Sequence, residues 1–282
     1  MYYEVLNGRQ EERPWVLFIH GFGGSSRTWK YQVESFWGDY NILVVDLPGH
    51  GASESEEVDN KNPHTHVSHM IHEILVKEKI DKVNIVSMSL GTIVAIEFVR
   101  LYPESVETVI LGGGSFNLTF KSRMLLRIAN VVKYLMPTGL TYRLFAHILL
   151  PKSNHKKSRD IFIRESKKLN ANMFKVWIQI MRMKRKKIQE YVETVINNNV
   201  PVLFVSGQED YMFIKGIRKF HKKVSSTTLE VIEKCGHVCS IEQAEKFNKL
   251  AKDFINEKHA LLRQISSDVL FGRKLAKQVV HK

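Results

Sequence analysis

Short β-branched runs recur along this chain with helical patterns between them, and no other feature restricts the fold as much. The runs fall at 15–19, 41–45, 82–86, 107–111, 201–205 and 228–232. Between them, 65–78, 92–101 and 241–257 space their apolar residues three and four apart, as helices with one buried face do. Such alternation predicts an α/β fold, a mostly parallel central sheet flanked by helices on both faces. Residues 2–6 read as an antiparallel edge strand turning at Asn7-Gly8.

The rhythm stops after Gly112-Gly113-Gly114 and resumes at Val200-Pro201. The intervening stretch carries helical spacing at 121–135, 141–149, 158–169, 173–183 and 187–197, with turns marked by Pro137, Gly139 and Pro151. The predicted organisation is a body made of 1–116 and 198–257, a helical cap inserted at 117–197, and a basic helical tail at 258–282. A chain of 282 residues can bury one sizeable core and still carry such an insertion. Charge follows the same division. The whole chain is net +13, yet 117–188 holds 18 Lys or Arg against only Asp160 and Glu165. The tail adds six more against Asp268, which leaves the body net acidic.

Composition is that of a soluble globular enzyme, 44% hydrophobic and 25% charged. No apolar run reaches the roughly 18 to 20 residues of a membrane span. The first residues lack the basic start and apolar stretch of a secretory signal. Cys235 and Cys239, four positions apart, form no disulfide framework. A cytoplasmic protein with reduced thiols is expected.

Ser87-Met88-Ser89-Leu90-Gly91 closes one strand and opens the helical pattern from Thr92. A strand–turn–helix of this kind lifts the Ser89 hydroxyl above the sheet and sets the Leu90 N–H at a helix N-terminus, facing a developing oxyanion. The turn is tight, so the residues two positions away must be small. Gly-x-Ser-x-Gly is the usual pattern, and here Ser87 replaces the first glycine. The same pentapeptide would also serve as a plain serine N-cap. His20-Gly21-Phe22-Gly23-Gly24 follows the strand at 15–19, where its glycines let the Phe22 N–H turn inward as a second oxyanion donor. Read blandly it is a Gly-rich loop or a phosphate cradle, but it lacks the Gly-Lys-Ser/Thr of a P-loop. Asp46-Leu-Pro-Gly-His50-Gly51 reads as a turn shaping the pocket floor.

A serine hydroxyl needs a base at neutral pH, and the base needs an orienting carboxylate. Asp210 follows the strand at 201–205. Its neighbour Glu209 competes on chemistry, and the strand-end spacing favours Asp210. His237, behind Gly236, follows the last strand and precedes the closing helix, a place no other of the twelve histidines occupies.

Taken together, these motifs resemble the α/β-hydrolase superfamily, in its small, soluble, cap-bearing bacterial branch. The resemblance runs through His20–Gly24, Asp46–Gly51, Ser87–Gly91, Asp210 and Gly236-His237, in family order, and covers most of 2–257 outside the cap. It implies Ser89 as nucleophile, His237 as base, Asp210 as its orienter, and Phe22 and Leu90 as oxyanion donors. Serine at position 89 argues against relatives with an aspartate nucleophile, the haloalkane dehalogenases and most epoxide hydrolases. The expected activity is hydrolysis of a small-molecule carboxylic ester, with apolar acyl chains favoured by the Leu, Ile, Phe and Met of the cap. Thioester hydrolysis, C–C cleavage or elimination use the same triad. A sensing protein with little turnover is the reading from another class, to which Ser87 and the basic cap point.

Other signals are weaker. His64, His66, His69 and His72 crowd one helix, but their spacing matches no metal motif and suits a solvated face. Cys235 and Cys239 read as core or pocket-wall residues. No cofactor, metal site or nucleic-acid partner is expected. The cations of the cap are either solvated outer faces or a docking surface for anionic phospholipid or an anionic substrate such as an acyl-CoA. The tail either packs on the body or meets a membrane surface or partner groove.

Overall fold

The computed structural model describes all residues except 8, 60, 115–121, 125, 126, 129, 130, 132–134, 181–184, 225, 281 and 282, with backbone only at 179, 180, 185, 186, 188, 262, 263 and 265–280. Seven strands form the sheet: β1 (Tyr3–Leu6), β2 (Trp15–Ile19), β3 (Asn41–Val45), β4 (Val83–Met88), β5 (Val106–Gly112), β6 (Val202–Gly207) and β7 (Thr227–Ile232). The labelled helices are α1 (Lys30–Phe36), α2 (Pro63–Lys77), α3 (Leu90–Leu101), α4 (Thr138–Leu149), α5 (Lys156–Glu165), α6 (Ala171–Ile180), α7 (Arg185–Asn197), α8 (Ile214–His221), α9 (Cys239–Glu242) and α10 (Ala244–Val280).

Strand order is β1-β3-β2-β4-β5-β6-β7. Every pairing is parallel except β1 with β3, where Tyr3 lies opposite Val45. The edge strand is thus antiparallel, as expected. It pairs with β3, and Gly8 of the expected turn lies outside the described residues. Side chains alternate across the pleat, so each inner strand feeds two cores. Leu17, Ile19, Leu43 and Val45 pack against α2 and α3 through Val67, Ile71 and Val94. Val16, Phe18, Ile42 and Val44 face α1 and α10 through Phe36, Phe247 and Phe254.

From β2 the chain builds outward in both directions, first to β3 and later to β4. The crevice beyond the C-terminal ends of β2 and β4 is therefore the switch point at which open parallel sheets bind ligands. Ile19 of β2 is in register with Ser87 of β4 there, which brings the His20–Gly24 loop beside Ser89.

Between β5 and β6 the described residues form no strand. Of the helix expected at 121–135, residues 122–124, 127, 128, 131 and 135 are helical, while Lys121, Leu125, Leu126, Val132 and Lys133 lie outside the described residues. The helix expected at 173–183 is described to Ile180. The helix expected at 158–169 begins at Lys156 and tightens into a 3-10 turn at Ser166–Lys168. The last helix of the insertion, α7, packs along α3, where Lys187 meets Glu97 at 3.2 Å. The closing helix departs from expectation. It breaks at Gln243 and then runs unbroken to Val280, passing through Gly272, with no proline in the sequence after Pro201 to stop it. Among the described residues no helix is long and apolar enough to cross a membrane.

Candidate active site

Ser89 sits one residue past β4 with φ 50° and ψ −113°, a conformation that costs a non-glycine residue about 1–3 kcal/mol. The surroundings hold it there. Its N–H donates to the Gly112 carbonyl at 2.8 Å, and the Thr92 hydroxyl donates to its carbonyl at 2.5 Å. Helix α3 starts so close to β2 that a Cβ on Gly91 would lie 2.4 Å from the Ile19 carbonyl oxygen, so that position admits only glycine. Ser87 faces a different environment. Its hydroxyl donates to the Ile110 carbonyl of β5 at 3.1 Å, inside the sheet. The departure from glycine is absorbed there without disturbing the turn.

The Ser89 Oγ lies 2.8 Å from His237 Nε2, and His237 Nδ1 lies 2.9 Å from Asp210 Oδ2. With Asp210 Oδ2 accepting from Nδ1–H, Nε2 presents its lone pair to the serine hydroxyl. Asp210 Oδ1 accepts the Phe213 N–H at 3.3 Å, and the Phe213 ring packs on the imidazole at 4.8 Å. All three side chains are secluded, with Ser89 only 7% exposed. Glu209 points elsewhere. Its carboxylate meets Lys152 at 2.7 Å, Asn154 at 3.0 Å and His155 at 2.9 Å, all from the segment joining α4 to α5. Hydrogen bonds from Lys152 and Asn154 bring its pKa down to about 2.

Two residues that sequence reasoning passed over stand behind His237. Glu242, in α9, accepts the N–H groups of Gly236 at 2.6 Å and Val238 at 3.0 Å, the two residues that flank the histidine. The readable signal was an acid in a first helical turn, which commonly folds back on preceding N–H groups. His155 is fully buried between Glu209, at 2.9 Å, and Glu242, at 3.6 Å. It therefore ties the inserted segment to the loops bearing Asp210 and His237. Nothing local in the sequence marks it.

On the opposite side, Leu90 is the first residue of α3, so its N–H has no acceptor within the helix. The loop carrying the Phe22 N–H is fixed by neighbours. His20 donates from Nδ1 to the Gly21 carbonyl at 2.8 Å and accepts the Leu47 N–H at Nε2 at 2.9 Å. Burial lowers the His20 pKa, and this pair of bonds fits only the neutral ring. Tyr142 of α4 donates its hydroxyl to the Phe22 carbonyl at 2.8 Å. Asp46 accepts the N–H groups of Ser26 at 2.5 Å and Ala52 at 2.7 Å, cross-bracing the loops after β2 and β3. His50 lies 5.1 Å from His20 ring to ring, and burial with that neighbour pushes its pKa down to about 3. Phe22, Phe174 and Trp177 complete an apolar wall around it.

The histidine-rich helix has local partners. His66 accepts the Asp59 N–H at 2.9 Å, His69 meets the Tyr102 hydroxyl at 2.5 Å, and His72 stacks on the Tyr102 ring at 3.9 Å. Cys235 and Cys239 are free and buried, and burial raises both thiols.

Comparison with known proteins identifies the fold. The family model described as alpha/beta hydrolase fold matches residues 14–244. A Bacillus subtilis protein assigned as a 2-succinyl-6-hydroxy-2,4-cyclohexadiene-1-carboxylate synthase is 25% identical over 246 residues, spanning 85% of this chain and 89% of its own. Rat monoacylglycerol lipase ABHD6 is 23% identical over 276 residues, spanning 90% of this chain and 79% of its own. Among solved structures, a carboxylesterase from Nitrososphaera gargenis superposes with a TM-score of 0.77 at 16% identity, covering 92% of this chain and 95% of that one. With the sheet order, the elbow at Ser89 and a family match over most of its length, the chain belongs to the α/β hydrolase fold family.

Proposed function

We propose that this protein is a serine hydrolase of carboxylic esters, with apolar acyl chains preferred. The observation that carries the reading is the relay from Asp210 through His237 to Ser89, at 2.9 and 2.8 Å, built on a backbone turn held in a strained conformation. In this reading Ser89 Oγ attacks the acyl carbonyl while His237 Nε2 takes its proton. Asp210 stabilises the imidazolium, and the N–H groups of Phe22 and Leu90 receive the oxyanion. His237 then returns the proton to the departing alcohol, and water repeats the sequence to release the acid. The lipase and carboxylesterase among the similar proteins support ester chemistry. The apolar wall of Phe22, Phe174 and Trp177 supports the acyl preference. We place the protein in the cytoplasm, where its two free thiols stay reduced.

A second reading, C–C cleavage or elimination on the same triad, draws on the synthase relative. Turnover of a p-nitrophenyl ester series separates the two. Ester hydrolysis predicts kcat/KM that rises with acyl length and disappears in Ser89→Ala. Absence of turnover across the series would favour the second reading. With Ser87 seated inside the sheet, the sensing alternative loses one of the two features that pointed to it.

A further inference from the structure

Helix α4 is apolar on two sides. Tyr142, Ala146 and Leu149 turn inward and are buried. Leu140, Leu144 and Ile148 repeat every four residues on another face and are 49%, 50% and 39% exposed. The helical residues just before it show the same thing. Met124, Ile128, Val131 and Leu135 follow one another at spacings of three and four, and all are more than half exposed. Large apolar side chains in register on two successive helical segments are not the scattered exposure of an ordinary surface. Such patches mark a binding face.

The charges on the same segments identify what binds. Arg123, Arg127, Arg143 and His147 are exposed beside the two rows. Between Glu107 and Asp160 the chain contains no Asp or Glu at all. A second copy of the chain would set these cations against one another in a two-fold contact, which like-charge repulsion disfavours. Apolar anchors interleaved with cations, with acids absent, complement a surface that is negative outside and hydrocarbon within.

We infer that the outer face of the cap, carried by Met124, Ile128, Val131 and Leu135 and by α4, docks on an anionic phospholipid surface. Tyr142 and the oxyanion loop lie on the inner side of the same helix, so the docked face backs directly onto the site. The inference concerns the cap's surface and stands apart from whether Ser89 turns over an ester.

Co-sedimentation of the full chain with vesicles tests it. The expected result is binding to phosphatidylcholine vesicles containing phosphatidylglycerol, little binding to phosphatidylcholine alone, and release by high salt. Cations near an anionic surface each add to binding, so Arg123→Glu/Arg127→Glu/Arg143→Glu should lose more than about a hundredfold. Leu140→Glu/Leu144→Glu should lose a similar factor through the apolar anchors. All five positions are exposed, so far-UV circular dichroism and the Tm of both variants should match the parent. Three outcomes overturn the inference. One is a chain that ignores anionic vesicles; another is binding by both variants equal to the parent's, which would assign it to the basic tail. The third is a concentration-dependent dimer that Leu140→Glu/Leu144→Glu dissolves without changing vesicle binding.

Discussion

The Tyr142 hydroxyl donates to the Phe22 carbonyl at 2.8 Å, joining two residues that are 120 positions apart in sequence. Phe22 belongs to the loop proposed to receive the oxyanion, and Tyr142 to the inserted helices. The insertion therefore helps set the loop's shape. Tyr142→Phe leaves the Phe22 carbonyl buried without its donor, at a cost of about 1–3 kcal/mol. The expected outcome is a five- to tenfold lower kcat, by order of magnitude (about 1 kcal/mol in the transition state), with KM nearly unchanged. Steady-state ester kinetics checks it. A lower Tm with kcat intact would make the bond merely structural.

Glu242 holds the backbone on both sides of His237 with one carboxylate. In Glu242→Gln the amide offers one acceptor and one donor where two acceptors are needed, so one N–H faces an N–H. The base then loses its fixed distance from Ser89 without losing any reacting group. We expect kcat/KM to fall about tenfold to a hundredfold, with Glu242→Asp recovering part of it. Equal losses in both variants would contradict a positioning role.

Buried Glu97 of α3 ties three helices together. Burial alone would raise its pKa, but hydrogen bonds from Arg100 and Thr65 and the charges of His64 and Lys187 bring it down to about 2. A carboxylate lowered from 4.5 in this way stabilises the fold fully above pH 4.5, and that stability is lost as pH falls toward 2. Its size is on the order of 3 kcal/mol. Urea unfolding of the parent and Glu97→Gln should therefore differ by that order at pH 7 and converge under acid conditions. A gap that does not change with pH would contradict the assignment.

Ser87→Gly restores the usual first glycine of the elbow. Because Ser87 only bonds the Ile110 carbonyl within the sheet, activity should change less than about twofold, while stability falls by about 1 kcal/mol. A large gain in kcat would show that the serine distorts the turn after all.

What could be read in sequence was what depends on local pattern. The strand rhythm located all seven strands to within a residue or two; β2 to β6, parallel and largely buried on both faces, read as apolar runs, while the edge strands β1 and β7 alternate exposed and covered positions. Ser89, Asp210 and His237 were each picked by position after a strand, and the sheet brings those three strand ends together. What escaped depends on where the insertion lies. Strand-end spacing favours Asp210 over Glu209, but the partners that hold Glu209, namely Lys152, Asn154 and His155, come from the insertion. His155 and Tyr142 act across distances that no window of sequence spans. The length of α10 was missed for a simpler reason: the expected helix was ended where the fold needs it to end, although no stop signal stands at Glu257.

We propose that the Asp210–His237 relay makes Ser89 a nucleophile. Labelling the full chain with a fluorophosphonate and locating the adduct by peptide mass spectrometry tests this most directly. We expect one adduct, on the peptide carrying Ser89, that is lost in Ser89→Ala and slowed by about 10³-fold or more in His237→Ala. An unlabelled Ser89, or an adduct that forms equally fast without His237, would contradict it.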